Sequence, residues 1–408
     1  MAATPVDVVI VGAGPAGTTA AYELAVHGVR VLILEKTPFP RYKVCGAGLT
    51  HKILQEIPYS LDPVIETTIR SVRFSYRFDE VFTRMSEVPL MYCTMRDRLD
   101  SYMLEKAVES GARVIFGEQV TGIIRQADQV IVSTRSGEYP ARLVVGADGV
   151  SGIVSRAAGL RKDIDLGLAW EAELETDPEL VKSLSETVFL DWGTFPGGYA
   201  WMFPKQDHLS IGVGGPARLS KRMITYYQDF LKTFPAPHSS VFIPHSSLSG
   251  PPSSLHSWPI PVRRRKGDFH TGRVLIAGDA AGLTDPMTGE GIWYAVRSGK
   301  IAATACRDFL GGNPSSLAHY SEEINATLMD DLVEACRIRD LFNVVPGKIH
   351  RLVRDNDRVW RAFGKVLRGE RQYADVRTGF GKYEFLWGIT TFIAGMLYIN
   401  KEKRFRNG

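Results

Sequence analysis

The chain is poor in everything that would mark a secreted, metal-bound or nucleic-acid-binding protein. Its 408 residues include only four cysteines, Cys45, Cys93, Cys306 and Cys336, with neither the paired spacing of a zinc site nor the density of a disulfide framework. A reducing, cytoplasmic setting follows. The 49 basic and 45 acidic residues leave a formal charge of +4, scattered rather than gathered into a block, which argues against a nucleic-acid partner. Histidines such as His238, His245, His256 and His270 stand at no ligand spacing, so no metal is expected. Ser/His/Asp constellations, repeats and long low-complexity linkers are also missing. The opening residues, Met1 to Asp7, lack the basic run and apolar core of a signal peptide.

What the chain does have begins immediately. Val6 to Val11 is a short apolar, β-branched run suited to a buried parallel strand, and it leads into Gly12-Ala13-Gly14-Pro15-Ala16-Gly17. Gly12 permits a tight turn, Gly14 lets the backbone approach a pyrophosphate, and Gly17 lets the following helix pack on the strand. The pattern predicts that helix over Pro15 to His27, ending at Gly28, and a second strand over Val29 to Leu34. Glu35, at the end of that strand, is placed to accept hydrogen bonds from a ribose, which favours FAD or NAD over a 2′-phosphorylated nucleotide.

Two later segments repeat the motif of a strand ending in small residues and an acid. Arg273 to Ala277 delivers Gly278-Asp279-Ala280-Ala281-Gly282, where Asp279 suits a polyol chain or a helix cap. Thr288-Gly289-Glu290-Gly291-Ile292 then opens a helix whose first amides can face an electron-rich ring edge. In Val144-Val145-Gly146-Ala147-Asp148, the acid fits a cofactor-lining role and a turn role equally well. Arg96 starts a helical pattern, within reach of a phosphate or polyol, or else as a solvated surface arginine. Together these pieces indicate a flavin dinucleotide.

Two further motifs carry a family resemblance. Pro40-Arg41-Tyr42-Lys43-Val44-Cys45-Gly46-Ala47-Gly48-Leu49 is similar to a Cys-Gly-Gly-Gly-Leu segment, and Tyr199-Ala200-Trp201-Met202-Phe203-Pro204-Lys205 to a Tyr-x-Trp-x-Phe-Pro-Lys strand. On these the chain resembles the geranylgeranyl reductase family, flavoproteins related to the aromatic hydroxylases. The resemblance implies an α/β fold with an FAD-binding Rossmann-like lobe of the glutathione reductase and p-hydroxybenzoate hydroxylase type, interleaved with a mixed β-sheet substrate lobe and followed by a helical C-terminal region. It implies FAD contacts at Ala16, Glu35, Gly46, Ala47, Gly48, Arg96, Val120, Asp279, Gly291 and Ile292, beside the turn glycines Gly12, Gly14 and Gly17. Ala47 stands where the family usually has glycine, and a side chain there resists positive φ.

The implied activity is reduction of isolated double bonds in geranylgeranyl chains on a lipid or prenyl diphosphate. Such an alkene has no carbonyl to polarise it, so hydride from flavin N5 must be matched by a proton from an acid or water. Cys45 and Tyr199 are the candidate catalytic groups, although a buried thiol also fills space or tunes the ring. Tyr199, Trp201 and Phe203, two apart, put three rings on one strand face as cavity wall. Either NADPH or reduced ferredoxin serves as electron donor. Two other readings stay open: a flavin monooxygenase or halogenase on the same scaffold, and a prenyl-binding escort without redox chemistry, as in GDP dissociation inhibitors.

The organisation expected is an FAD lobe over 1–70, 96–165 and 266–312, a substrate lobe over 71–95 and 166–265, and a helical region over 313–408. Arg70 to Arg84 reads as one half-exposed strand, Ala112 to Val120 as another, and Pro235 to Pro261 as a loop. Tyr383 to Asn400 is apolar apart from Glu384 and precedes Lys401, Lys403, Arg404 and Arg406. At the lower limit for a span of ~20 residues, it reads as a helix for peripheral membrane contact through 383–406, or one packed on the protein.

Overall fold

The computed structural model describes residues 6–233, 255–378 and 384–407. The greater part of the predicted loop at 235–261, and Tyr383, lie outside them. The chain forms two compact units, each assembled from three stretches: Met1–Lys43, Arg96–Asp165 and Pro261–Val333 in the first, and Val44–Met95, Leu166–Ile260 and Glu334–Gly408 in the second.

The first unit is built on parallel strands. Val6–Val11 lies between Glu138–Gly146 and Val31–Glu35, with Val274–Ile276 and Arg113–Phe116 extending the sheet on either side. Val31–Glu35 is buried throughout, which is why it is a continuous apolar run rather than an alternating one. A hairpin, Val120–Arg125 with Val130–Thr134, joins antiparallel to Glu138–Gly146. The expected single strand over Ala112 to Val120 is two strands, because Gly117 turns the chain at φ +78°. Helix Pro15–Ala25 stops two residues short of the prediction, its last carbonyls met by a turn through His27 and Gly28.

The second unit carries a seven-stranded, largely antiparallel sheet in the order His256–Arg263, Ile164–Glu175, His208–Pro216, Tyr199–Pro204, Thr187–Trp192, Ser71–Tyr76, Asp79–Met85. Arg70 to Arg84 is therefore a hairpin and not one strand. Its turn is made by Arg77 and Phe78, both left-handed at φ +55° and +65°, a conformation invisible in a sequence without glycine there. One face of the sheet packs Ala172, Leu174, Ala200, Met202, Ile211 and Val213 into a core with helix Ser220–Thr233. The opposite face carries the residues described next. The apolar C-terminal segment is a helix, Glu384–Asn407, that runs on through the basic residues. Among the described residues no helix is long and apolar enough to cross a membrane.

Candidate active site

In the first unit the glycine turn has the shape a pyrophosphate needs. Gly12 sits at φ +99°, where a Cβ would strike the Ala147 carbonyl, so the turn admits only glycine. Gly17 packs against the Gly12 carbonyl with no room for a side chain. Between them Gly14 faces open space, its nearest neighbour being the Arg41 guanidinium, 4.0 Å from where a Cβ would stand. Helix Pro15–Ala25 starts there with proline in its first turn, no capping side chain and no acid, leaving its positive end for an anion.

Charged groups around this turn are pre-arranged. Glu35 accepts the Ala13 amide at 2.8 Å on one carboxylate oxygen and the Thr37 amide at 3.0 Å on the other, locking the second strand to the glycine turn. Each oxygen keeps a second lone pair for a ribose hydroxyl. Arg96 is buried, not a solvated surface residue: it forks onto both oxygens of Asp100 at 2.8 Å, while Arg41 reaches the same carboxylate at 3.2 Å. One buried acid thus orients two guanidiniums.

The Asp279 turn joins this cradle through helix Ile292–Leu310. Gly299 of that helix leaves no space for a Cβ beside the Ala16 carbonyl, so the two helices cross at small residues. Asp279 Oδ1 lies 3.3 Å from where a Gly291 Cβ would stand, which brings Asp279, Gly291 and Ile292 together. Asp279 caps neither neighbouring helix, and the helix at Ile292 has no capping side chain and no acid in its first turn. Asp285 shapes the preceding loop by accepting from Met287 N–H at 2.7 Å and from the Thr288 hydroxyl at 2.8 Å. Val120 is buried at the first position of its strand. Asp148 takes the turn role: it accepts the Val154 amide at 3.0 Å, and burial raises its pKa.

The second unit holds the loop and the rings. Register places Trp201 opposite Gly212 and Tyr199 opposite Gly214, so Tyr199, Trp201 and Phe203 share the sheet face away from the core. Tyr199 and Trp201 rings lie 5.4 Å apart between centroids. Gly212 is a bare floor: a Cβ there would enter the Trp201 ring. The loop Cys45 to Gly48 covers the same face, with Gly46 so close that a Cβ would stand 2.7 Å from Phe203 Cε2 and 3.1 Å from Trp201 Nε1.

Three residues, Lys205, Thr94 and Glu171, fix this loop. Lys205, wholly buried, donates from Nζ to the carbonyls of Gly46 and Thr94, both at 2.7 Å. Ala47 accepts the Thr94 amide at 3.1 Å. Glu171 Oε1 accepts the Cys45 amide at 3.1 Å. Contrary to the expected resistance, Ala47 does adopt a left-handed φ of +46°, at a cost of about 1 kcal/mol. The Cys45 thiol is free, and Sγ accepts the Ala47 amide at 3.4 Å.

Glu171 is the ionisable group of greatest consequence. Burial, then the neighbouring Glu173, push its pKa up to about 8 against the opposing pull of Lys205. Ser210 Oγ lies beside the carboxyl, outside good hydrogen-bonding geometry, and Oε2 is buried without a partner.

Residues 5–169 match the family model for an FAD binding domain. The digeranylgeranylglycerophospholipid reductase of Methanocella arvoryzae is 30% identical over 359 residues, covering 83% of this chain and 88% of the relative. The chain belongs to the geranylgeranyl reductase family. A solved structure agrees in fold: a geranylgeranyl bacteriochlorophyll reductase-like protein of Thermoplasma acidophilum superposes with a TM-score of 0.72 over 83% of this chain and 88% of that one, at 24% identity. The scaffold is shared more widely, since a flavin-dependent brominase gives a TM-score of 0.70 at 22% identity, covering 93% and 99% of the two chains.

The open face at Gly14, the uncapped helix ends and the Arg41–Asp100–Arg96 group fit the FAD that this family implies. Sequence reading missed three of the residues above. Arg41 and Lys205 were visible only as parts of motifs. Glu171 was hidden in Trp170-Glu171-Ala172-Glu173-Leu174-Glu175, whose alternation looks like an ordinary solvent-facing edge.

Proposed function

We propose that the protein is an FAD-dependent reductase that saturates carbon-carbon double bonds in prenyl chains carried by a lipid. The FAD cradle is assigned to the first unit, through Gly12, Gly14, Ala16, Gly17, Glu35, Arg96, Val120, Asp279, Gly291 and Ile292. The loop Gly46, Ala47 and Gly48 is assigned to the ring, with Cys45 beside it and Tyr199, Trp201 and Phe203 as substrate wall. Bound and reduced, the cofactor supplies hydride. The chain's own residues orient the alkene, exclude water and hold the proton. The observation that carries this reading is the wall itself: three rings and a glycine-rich loop share one face, an aromatic contact surface of the kind a hydrocarbon chain packs on.

The brominase likeness keeps an oxygenating reading in view, and one experiment separates the two. Anaerobic, photoreduced enzyme is mixed with geranylgeranylated glycerolipids, quinones and diphosphates, and each product is weighed by mass spectrometry. Gain of two hydrogens per double bond supports the reductase. Oxygen-dependent gain of an oxygen atom, with no anaerobic product, overturns it.

The helix Glu384–Asn407 suits delivery of such a substrate. Trp387, Ala394 and Tyr398 pack inward, while Leu386, Ile389, Phe392, Met396 and Leu397 are exposed, Phe392 by 68%. Lys403, Arg404 and Arg406 follow on the same helix. An exposed apolar stripe with a basic end is the pattern of a helix lying in an anionic lipid surface.

A further inference from the structure

The face that carries the rings also carries a row of ionisable groups leading out of the protein. Register sets Glu171 opposite Gly212, Glu173 opposite Ser210 and Glu175 opposite His208, all on the side of Tyr199, Trp201 and Phe203. At the outer end Asp207 is 83% exposed and lies 2.6 Å from His208 Nδ1. His208 Nε2 stands 3.1 Å from Glu173 Oε2. Glu173 is two residues along the same strand face from Glu171, which is 1% exposed.

At the inner end the two oxygens of Glu171 are unequal. Oε1 accepts the Cys45 amide, whereas Oε2 has no partner and no access to solvent. In a neutral carboxyl the carbonyl oxygen accepts and the hydroxyl donates, so the proton belongs on Oε2. An unpartnered buried hydroxyl costs about 1–3 kcal/mol. Nothing else in the loop needs it: the Cys45 amide would be satisfied by any acceptor of this length. Trp201 Nε1, also buried and unpartnered, belongs to the same face.

We propose that Glu171 donates from Oε2 the proton that enters one alkene carbon, and that Asp207, His208 and Glu173 conduct its replacement from solvent. The proposal rests on the prenyl-reductase reading above. The Oε2–H bond breaks as one C–H bond forms with the alkene π pair. The FAD that the cradle would hold would, when reduced, supply the hydride that balances the second carbon, and the Glu171 carboxylate left behind takes a proton from Glu173. The titratable and charged groups beside Glu171 are Glu173, Lys205 and Cys45, and its charge is also felt by Tyr227 of helix Ser220–Thr233 on the core side of the sheet. Burial and Glu173 keep the proton on Glu171, while the Lys205 cation moderates the charge left after transfer. Burial works against the charged form of His208, but the Glu173 and Asp207 carboxylates beside it outweigh this and raise its pKa, which suits a group that relays protons.

Glu171→Gln keeps an acceptor for the Cys45 amide and removes the acid. In single turnovers of reduced enzyme with a geranylgeranylated glycerolipid, this variant is expected to reoxidise its flavin at least ~100-fold more slowly than wild type, with flavin affinity unchanged. His208→Asn is expected to slow steady-state turnover far more than the first turnover, with imidazole restoring the rate. Infrared difference spectra of the apoprotein supply a readout apart from activity: a protonated carboxyl band at neutral pH, absent from Glu171→Gln. Wild-type enzyme that reduces the lipid while Glu171→Gln keeps pace, or the absence of that band, overturns the role of Glu171 alone. Equal slowing of both phases in His208→Asn overturns the relay. Wild type that leaves every prenyl lipid untouched overturns the reductase reading and this role with it.

Discussion

Lys205 Nζ holds the carbonyl oxygens of Gly46 and Thr94 at 2.7 Å each, so a single buried ammonium ties the glycine-rich loop to the strand end at residue 94. Lys205→Met, of similar length, orphans both carbonyls. A loss of about 2 kcal/mol is expected, read as a lower urea midpoint. An unchanged midpoint would mean that relief of the buried charge offsets both bonds.

The raised pKa of Glu171 makes stability depend on pH with a definite sign. Between the ordinary glutamate value of 4.5 and about 8 the folded protein keeps a proton that the unfolded chain releases, so stability falls as pH rises through this window and levels off above it. Glu171→Gln removes that slope. Urea titrations of both proteins at a series of pH values should show the variant gaining on wild type across the window, and parallel curves would contradict the assignment.

Gly212→Ala places a methyl inside the Trp201 ring and 2.7 Å from the Trp170 carbonyl. Because one of those neighbours is backbone, the ring must tilt off the strand, at about 1–3 kcal/mol. Tryptophan fluorescence and thermal unfolding report the two effects. The variant is also expected to lose turnover more than flavin affinity.

Glu35 is bound to the glycine turn through the Ala13 amide and to the chain just beyond its own strand through the Thr37 amide. Glu35→Ala releases both amides and removes the proposed ribose acceptor, for which a loss of 10- to 100-fold in FAD affinity is expected, from about 1–3 kcal/mol. Quenching of flavin fluorescence on titration measures it. Affinity equal to wild type would remove Glu35 from the proposed site.

If helix Glu384–Asn407 lies in a lipid surface, Ile389→Ser with Phe392→Ser should weaken co-sedimentation with vesicles of phosphatidylglycerol and phosphatidylcholine by about a hundredfold, on the transfer free energy of two part-exposed apolar side chains. Binding that persists at high salt but vanishes in this double variant would assign the attachment to the apolar stripe rather than to Lys403, Arg404 and Arg406.

The sequence was a good guide where one local rule governed the outcome. Val6 to Val11 forms a strand with the predicted ends because it is buried on both sides, and the glycines after it meet steric demands that no other residue satisfies. The family and fold class were readable from the 40–49 and 199–205 motifs. Reading failed where a long-range partner overrode the local pattern. Ala47 is held left-handed by the bonds around it. Arg77 and Phe78 turn a hairpin without glycine. Glu171 lies on the polar side of an alternating strand, yet the loop from residue 45 closes over that side and buries it. No periodicity carries the position of a covering loop.

Because Gly212 and Gly214 offer no side chains beneath Trp201 and Tyr199, these two aromatics rest directly on main chain. Their depth is therefore set by the sheet and cannot be adjusted from the neighbouring strand. If these rings wall the proposed substrate cavity, any drift in the tail it accepts, in evolution or by engineering, must act at positions 199, 201 and 203 themselves.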